Sequence, residues 1–337
     1  MMSERPREIV IRRPDDLHVH LRDGEAVSGY ARDAARHFAR ILVMPNTSPP
    51  IVTTDDLVAY RARIEQAAPK LTPLMTFKIM QGATAESIRD LKSAGAVAGK
   101  LYPRGATTNS EDGLSDIGGA LPIFEVMEEV GLVLCIHGEN PAAPVLEREA
   151  AFLPTFFEII SRFPRLKVVL EHVSSEAGVQ AVREAPERVA ATITVHHLLF
   201  TLDDLLGNRL RPHLFCKPVI KPERDRAAIE RVVLEGHPRF FYGSDSAPHL
   251  RSEKESDSGS AGVYSIPVSL SLLAEFFVDR GAVGRFEPFV SELGARFYGL
   301  PLNEGTITIR RESWRVPEEL HGVVPLLAGT ELDWLPA

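Results

Sequence analysis

With 337 residues and 37.2 kDa, the chain is long enough for two average domains or one large α/β barrel, and in either case for a substantial core. Its 44% hydrophobic and 25% charged residues are the proportions of a globular protein, which excludes disordered and fibrous classes. A net charge of -8 with scattered Lys and Arg offers no grip on a phosphate backbone, and no apolar stretch approaches the roughly 18 residues of a membrane span, so neither nucleic acid nor membrane is an expected partner.

The N-terminal stretch from Met1 to Glu8 is charged where a secretory signal needs an apolar core, so the expected location is cytoplasmic. Asp16-Leu17-His18-Val19-His20-Leu21-Arg22 then alternates polar and apolar residues. In a strand this puts His18, His20 and Arg22 on one face and Leu17, Val19 and Leu21 on the other. Two imidazoles one strand-step apart can converge on a divalent cation, and a guanidinium just beyond them can clamp a carboxylate. A solvated surface pair is the alternative. Further short apolar runs follow at 41–44, 74–79, 96–101, 132–137, 168–172, 190–195 and 240–245, which with 16–21 makes eight candidate strands.

Between them stand helix signals: Thr54 before Asp55-Asp56, Gly95 after Leu91-Lys92, Gly131 after Met127-Glu128-Glu129, and Ser174 before Ser175-Glu176. The clearest helix spans 222–235, with Pro222 as its first residue, an apolar stripe of Ala228, Ile229, Val232 and Val233, and Gly236 as a stop. Eight strand–helix units in roughly 260 residues match a (β/α)8 TIM barrel. A doubly wound sheet would carry a glycine-rich phosphate turn after its first strand, and Asp23-Gly24-Glu25 is not one. Beyond the barrel, 286–300 reads as a helix, followed by the alternating Thr306-Ile307-Thr308-Ile309 and a proline-containing tail. Residues 1–337 are read as a single domain, with 286–337 a helical and extended packing extension.

The strand ends carry the chemistry. The run 132–136 leads into His137-Gly138-Glu139, 168–171 into His172, and 240–244 into Asp245. In a barrel these termini share one mouth, where with His18 and His20 they supply four imidazoles and one carboxylate, ligand types that Zn²⁺ accepts. Lys100 stands at the end of 96–99 and has two readings: an ammonium that snorkels out of the mouth, or a desolvated amine that reacts with CO₂ to give a carbamate able to bridge two metals. Glu139 and Glu171 flank the histidines, as hydrogen-bond partners to them or, for Glu171, facing the helices. The polar, glycine-flanked segment 104–113 reads as a lid. His196-His197 can approach the pocket, whereas His37, His213, His237 and His321 read as surface or helix-end residues. Cys135 and Cys216 each lie in an apolar segment with no second cysteine nearby and read as reduced core residues.

Six ordered motifs carry a resemblance: Arg13 to Gly24 with its H-x-H-x-R, Val43-Met44-Pro45-Asn46, Gly99-Lys100-Leu101-Tyr102-Pro103, Ala106-Thr107-Thr108-Asn109-Ser110, Ile136-His137-Gly138-Glu139 and Gly243-Ser244-Asp245-Ser246-Ala247-Pro248-His249. Over nearly its whole length the chain resembles the amidohydrolase superfamily, and within it the dihydroorotases of the single-function bacterial type. The resemblance implies two Zn²⁺ per subunit, one held by His18, His20 and Asp245, the other by His137 and His172. Carboxylated Lys100 (N6-carboxylysine) and a hydroxide would bridge them.

It also implies substrate contacts from His20, Arg22, Asn46, His137, His249 and Ala261, with Thr107 and Thr108 on a mobile loop, Asp245 as the catalytic acid and base, and a homodimer. The implied reaction is the reversible cyclisation of N-carbamoyl-L-aspartate to L-dihydroorotate and water in pyrimidine synthesis. The chain departs from the family at Lys217, where a leucine precedes the proline; the family contact there is through the backbone. A hydantoinase-like or allantoinase-like enzyme is the nearest alternative, disfavoured because a hydantoin has no carboxylate for Arg22 and His249 to hold. A metal-free binding or assembly barrel is the alternative of a different class.

Overall fold

In the computed structural model, which describes residues 6–337, the first strand, β1 (Glu8–Arg12), lies outside the barrel. Met1 to Arg5, most of the charged N-terminal stretch, fall outside the described residues. Eight parallel strands follow in sequence order: β2 (Asp15–Val19), β3 (Arg40–Val43), β4 (Thr72–Lys78), β5 (Ala96–Leu101), β6 (Val133–Ile136), β7 (Val168–Leu170), β8 (Val189–Ile193) and β9 (Phe240–Tyr242). The sheet closes just past β9, where the Asp245 N–H donates to the His18 carbonyl at 2.9 Å and the His20 N–H donates to the Ser246 carbonyl at 2.9 Å. That closure joins the two ends of the chain's most informative motifs. No helix among the described residues is long and apolar enough to cross a membrane.

The barrel interior is a packed layer of Leu17, Leu42, Met44, Ala98, Val133, Cys135, Val169, Ala190 and Phe241, covered at the strands' N-terminal side by Leu293, Phe297 and Tyr298. Every polar group of the site stands on this apolar floor. Simple alternation in β2 fails at one point: the β2–β3 register shifts between Asp16 and Val19, so Leu17 joins the interior layer while Val19 and Leu21 join the outer core. Leu17 is thus on the opposite side from the one its spacing suggested.

Helix starts fall about a residue from the sequence signals. Thr53, not Thr54, caps the helix Thr54–Ala67, exchanging hydrogen bonds with Asp56; Ser175, not Ser174, caps Glu176–Glu184; and Pro222 caps Glu223–Glu235 instead of opening it. The stops at Gly131 and Gly236 are left-handed, with φ of 69° and 68°. The expected helix 286–300 is present as a continuous helical stretch over 286–298, with a π turn at Pro288–Glu292 running into the α-helix Leu293–Tyr298.

A second sheet was only half foreseen. β10 (Thr306–Arg315) pairs antiparallel with β1 on one side and β11 (Glu331–Pro336) on the other. Ile9, Ile11, Ile307, Ile309, Leu332 and Trp334 bury one face of it in the same core as the barrel helices.

Candidate active site

His18 and His20 leave the end of β2, and Asp245 lies three residues past β9. The three meet: Asp245 Oδ1 is 3.0 Å from His20 Nε2 and 3.3 Å from His18 Nε2. Gly243 makes the approach possible, because a Cβ there would sit 2.9 Å from the His18 Cβ. On the other side His137 Nδ1 faces His172 Nε2 at 3.1 Å. Carboxylates hold the far edges of two rings, with Glu171 2.6 Å from His18 Nδ1 and Glu139 2.8 Å from His137 Nε2. Glu171 therefore points into the barrel rather than toward the helices, and Thr192 donates to the same oxygen at 2.6 Å. Lys100 is fully buried, its Nζ 5.3 Å over the Tyr102 ring and near enough to His18, His137 and His172 to act on each electrostatically.

Most of the ligand set is held in the forms that bind metals; His18 is the exception, since burial would lower it but the Glu171 and Asp245 carboxylates raise it above the ordinary imidazole value. Desolvation pulls His20 down to about 4 and His172 well below the ordinary imidazole value, so both rings are neutral. Burial alone would raise Asp245, but the neighbouring His18 ring and the hydrogen bond from His20 hold it well below the usual carboxylate range. Burial likewise lowers the Lys100 amine, bringing its nucleophilic neutral form within reach. Lys100 Nζ, His18 Nε2 and His172 Nδ1 are buried with no hydrogen-bond partner among the described residues. A buried polar atom left so costs on the order of 1–3 kcal/mol, and this donor set fits a divalent cation that would satisfy it.

Arg22, in a left-handed conformation with φ of 59°, shares a cavity with His18, His20, His137 and His172. The Tyr60 hydroxyl donates to its carbonyl, its Nε donates to the Pro248 carbonyl at 2.7 Å, and its terminal N–H approaches His249 Nε2 at 2.7 Å. His20, Arg22, Asn46, Thr107, Thr108, His137, Lys217, Asp245 and Ala261 line one cavity, and His249 reaches it through Arg22 and the Ala261 carbonyl, 3.0 Å away. That cavity measures only about 20 Å³, room for little more than a water, because the 104–113 loop lies over it. The Asn46 amide donates to the Thr108 carbonyl at 3.1 Å, and the Asn109 amide donates back to the Asn46 carbonyl at 3.0 Å.

Three residues beside the site escaped the sequence reading. Tyr102, inside a quoted motif, lines the cavity with its hydroxyl buried. Lys78 donates to the Asn109 carbonyl at 2.8 Å and to Asp112, tying down the loop. Lys254 donates to the carbonyls of Phe215, Ser260 and Gly262. Alternation in β4 could have flagged Lys78; nothing local marks Lys254. His172 and Asp245 carry positive φ, 42° and 45°, a backbone strain that side-chain patterns do not report. His197 stays out of the cavity, held by Thr194 and the Pro218 carbonyl.

A family model described as an amidohydrolase matches residues 16–263. A dihydroorotase of Teredinibacter turnerae is 44% identical over 336 residues, covering 97% of this chain and 98% of that protein. The chain belongs to the dihydroorotase family of amidohydrolases. A crystal structure of dihydroorotase from Saccharomyces cerevisiae, in complex with 5-fluoroorotic acid, matches with a TM-score of 0.93 at 33% identity, over 98% of this chain and 99% of that one. An L-hydantoinase from Arthrobacter aurescens matches with a TM-score of 0.86 at 20% identity, over 98% and 83% of the two chains; it shares the fold alone. Membership of the dihydroorotase family brings metal dependence, and His18, His20 and Asp245 form a buried donor group that suits it.

Proposed function

We propose that the chain interconverts N-carbamoyl-L-aspartate and L-dihydroorotate, with His18, His20 and Asp245 holding one zinc ion, His137 and His172 a second, and carboxylated Lys100 bridging them. The observation that carries this reading is a cationic clamp, Arg22 beside His249, on the same cavity as four buried imidazoles and one ionised carboxylate. Bound there, the metals would activate a water and polarise the ring amide. Arg22 binds the substrate's free carboxylate through charge-assisted hydrogen bonds, with Asn46, His249 and the Ala261 backbone completing the grip. Asp245 takes a proton on the hydrolytic side and hands it to the departing ring nitrogen; in cyclisation it carries the proton the other way. The loop bearing Thr107 and Thr108 excludes water once the substrate is in place, and Lys217 contributes its backbone to the rim. The reading includes a homodimer working in the cytoplasm.

Cyclisation turns a dicarboxylate into a monocarboxylate and water and so consumes one proton, which makes ring closure more favourable as pH falls. The functional test is turnover of L-dihydroorotate against hydantoin and allantoin by the metal-loaded protein. Preference for dihydroorotate supports the proposal. A faster reaction with either carboxylate-free ring would replace it with the hydantoinase or allantoinase reading.

A further inference from the structure

A second group of metal-ligand side chains lies outside the site just described. His196 and His197 sit in the short helix Val195–Leu199, and Cys216 comes from the segment that follows the turn at Pro212–Leu214. Their ligand atoms all lie within 4.8 Å of one another, and all three side chains are buried. Both ring nitrogens of His196 are buried without a hydrogen-bond partner among the described residues. A histidine placed there only to fill space gains nothing from its two polar atoms and pays for desolvating both.

One backbone oxygen lies beside two of these ligand atoms. Cys216 Sγ is 3.9 Å from His197 Nε2, and the Pro218 carbonyl oxygen is 2.9 Å from that nitrogen and 3.2 Å from the sulfur. His197 Nδ1 lies 2.9 Å from the Thr194 hydroxyl, the kind of outer contact that orients a ligating imidazole. We propose that His196, His197 and Cys216 form a separate binding site for one borderline-soft transition-metal ion of the Zn²⁺ class, with the Pro218 carbonyl as an adjacent oxygen donor. Two imidazoles and a thiolate select against Mg²⁺ and Ca²⁺, which take oxygen ligands.

Proton balance is simple. The cation takes the place of the thiol proton on the Cys216 sulfur, so one H⁺ leaves for each ion bound. His197 keeps its proton but moves it from Nε2 to Nδ1, where it is donated to the Thr194 hydroxyl. Burial keeps His197 neutral down to about 4 and His196 neutral well below the ordinary value, so both rings offer lone pairs at neutral pH. Burial also pushes the Cys216 thiol up to about 12, so capture of the ion should strengthen as pH rises.

The chain has only two cysteines, which makes the test clean. Metal-free protein is titrated with Co²⁺ and the near-ultraviolet thiolate-to-cobalt charge-transfer band is recorded. The active-site ligands contain no sulfur and give no such band. The proposal expects the band in the wild type and in Cys135→Ser, where Cys216 is the one remaining thiol. It expects loss of the band and of one cobalt per subunit in Cys216→Ser, and roughly tenfold or weaker binding at this site in His196→Gln. No band at saturating Co²⁺ in the wild type, a band abolished by Cys135→Ser, or unchanged affinity in His196→Gln would overturn it. The Cys135→Ser result decides the thiol's identity even if Cys216→Ser fails to fold.

Discussion

Arg22 is fixed by its own backbone as much as by its side chain. Tyr60 holds its carbonyl and Pro248 its Nε, leaving the terminal nitrogens facing His249 and the cavity. His249 Nε2 cannot both accept from Arg22 and donate to the Ala261 carbonyl, and a substrate carboxylate that takes the Arg22 N–H would leave the histidine free to donate. Arg22→Met should therefore raise KM by about ten- to a hundredfold, the worth of a charge-assisted pair, with metal content unchanged. Loss of metal in that variant would make the arginine structural. Lys254 is the second residue to watch. Its ammonium donates at 2.8, 2.9 and 2.7 Å to Phe215, Ser260 and Gly262, pinning the segment that carries Ala261, and burial lowers it from 10.5 to about 8. Because the folded value is the lower one, the folded protein loses this proton first as pH rises. KM should climb above pH 8 and the climb should vanish in Lys254→Met, while the group's own contribution to stability increases between about 8 and 10.5, where only the unfolded chain still holds the proton. A KM profile flat to pH 9.5 in the wild type would refute the clamp. The placement of Arg22 and His249 at the cavity was legible in their motifs; the position of Lys254 was not, since its three partners are backbone carbonyls, which leave no mark in the side-chain sequence.

At the level of elements, the site is built on strand ends and on what braces them. Glu149, from the helix Arg148–Arg162, is buried and accepts four hydrogen bonds, from the N–H and hydroxyl of Ser174 and of Ser175 at 2.5 to 2.9 Å. This fixes the turn immediately after His172. Glu149→Ala would strand those donors, so unfolding in denaturant should show a loss of at least about 3 kcal/mol, with weaker metal retention. A loss under 1 kcal/mol would mean that the turn holds itself. The eight barrel strands were readable because each is a short apolar run between polar punctuation, and their ends drifted by a few residues because the barrel mouth continues in backbone paired only by isolated bridges, as at Gly243 to Ala247. Leu17 was misplaced because a register shift leaves no trace in an alternating sequence. β1 went unread for another reason: Glu8 and Arg12 enclose its apolar residues, and its partner in β10 is almost 300 positions away.

Seen whole, the molecule is a barrel whose floor is apolar and whose mouth gathers polar groups from β2, β5, β6, β7 and the end of β9, with a three-stranded sheet sharing the outer core. The fold was readable from strand count and order. The meeting of His18 with Asp245 follows from closing the barrel, because hydrogen bonds join the residues around them across the seam. What no one-dimensional pattern could supply is the depth of Lys100, whose burial distinguishes a reactive amine from a solvated ammonium. That depth is what the proposed lysine carbamate and the paired metals depend on, and the carbamate is open to direct measurement. Metal-free protein reconstituted with zinc and ¹³C-bicarbonate should show one carbamate carbon signal per subunit, absent from Lys100→Ala and gained in step with activity. A fully active, zinc-loaded protein with no carbamate carbon would show that Lys100 is an ordinary buried amine.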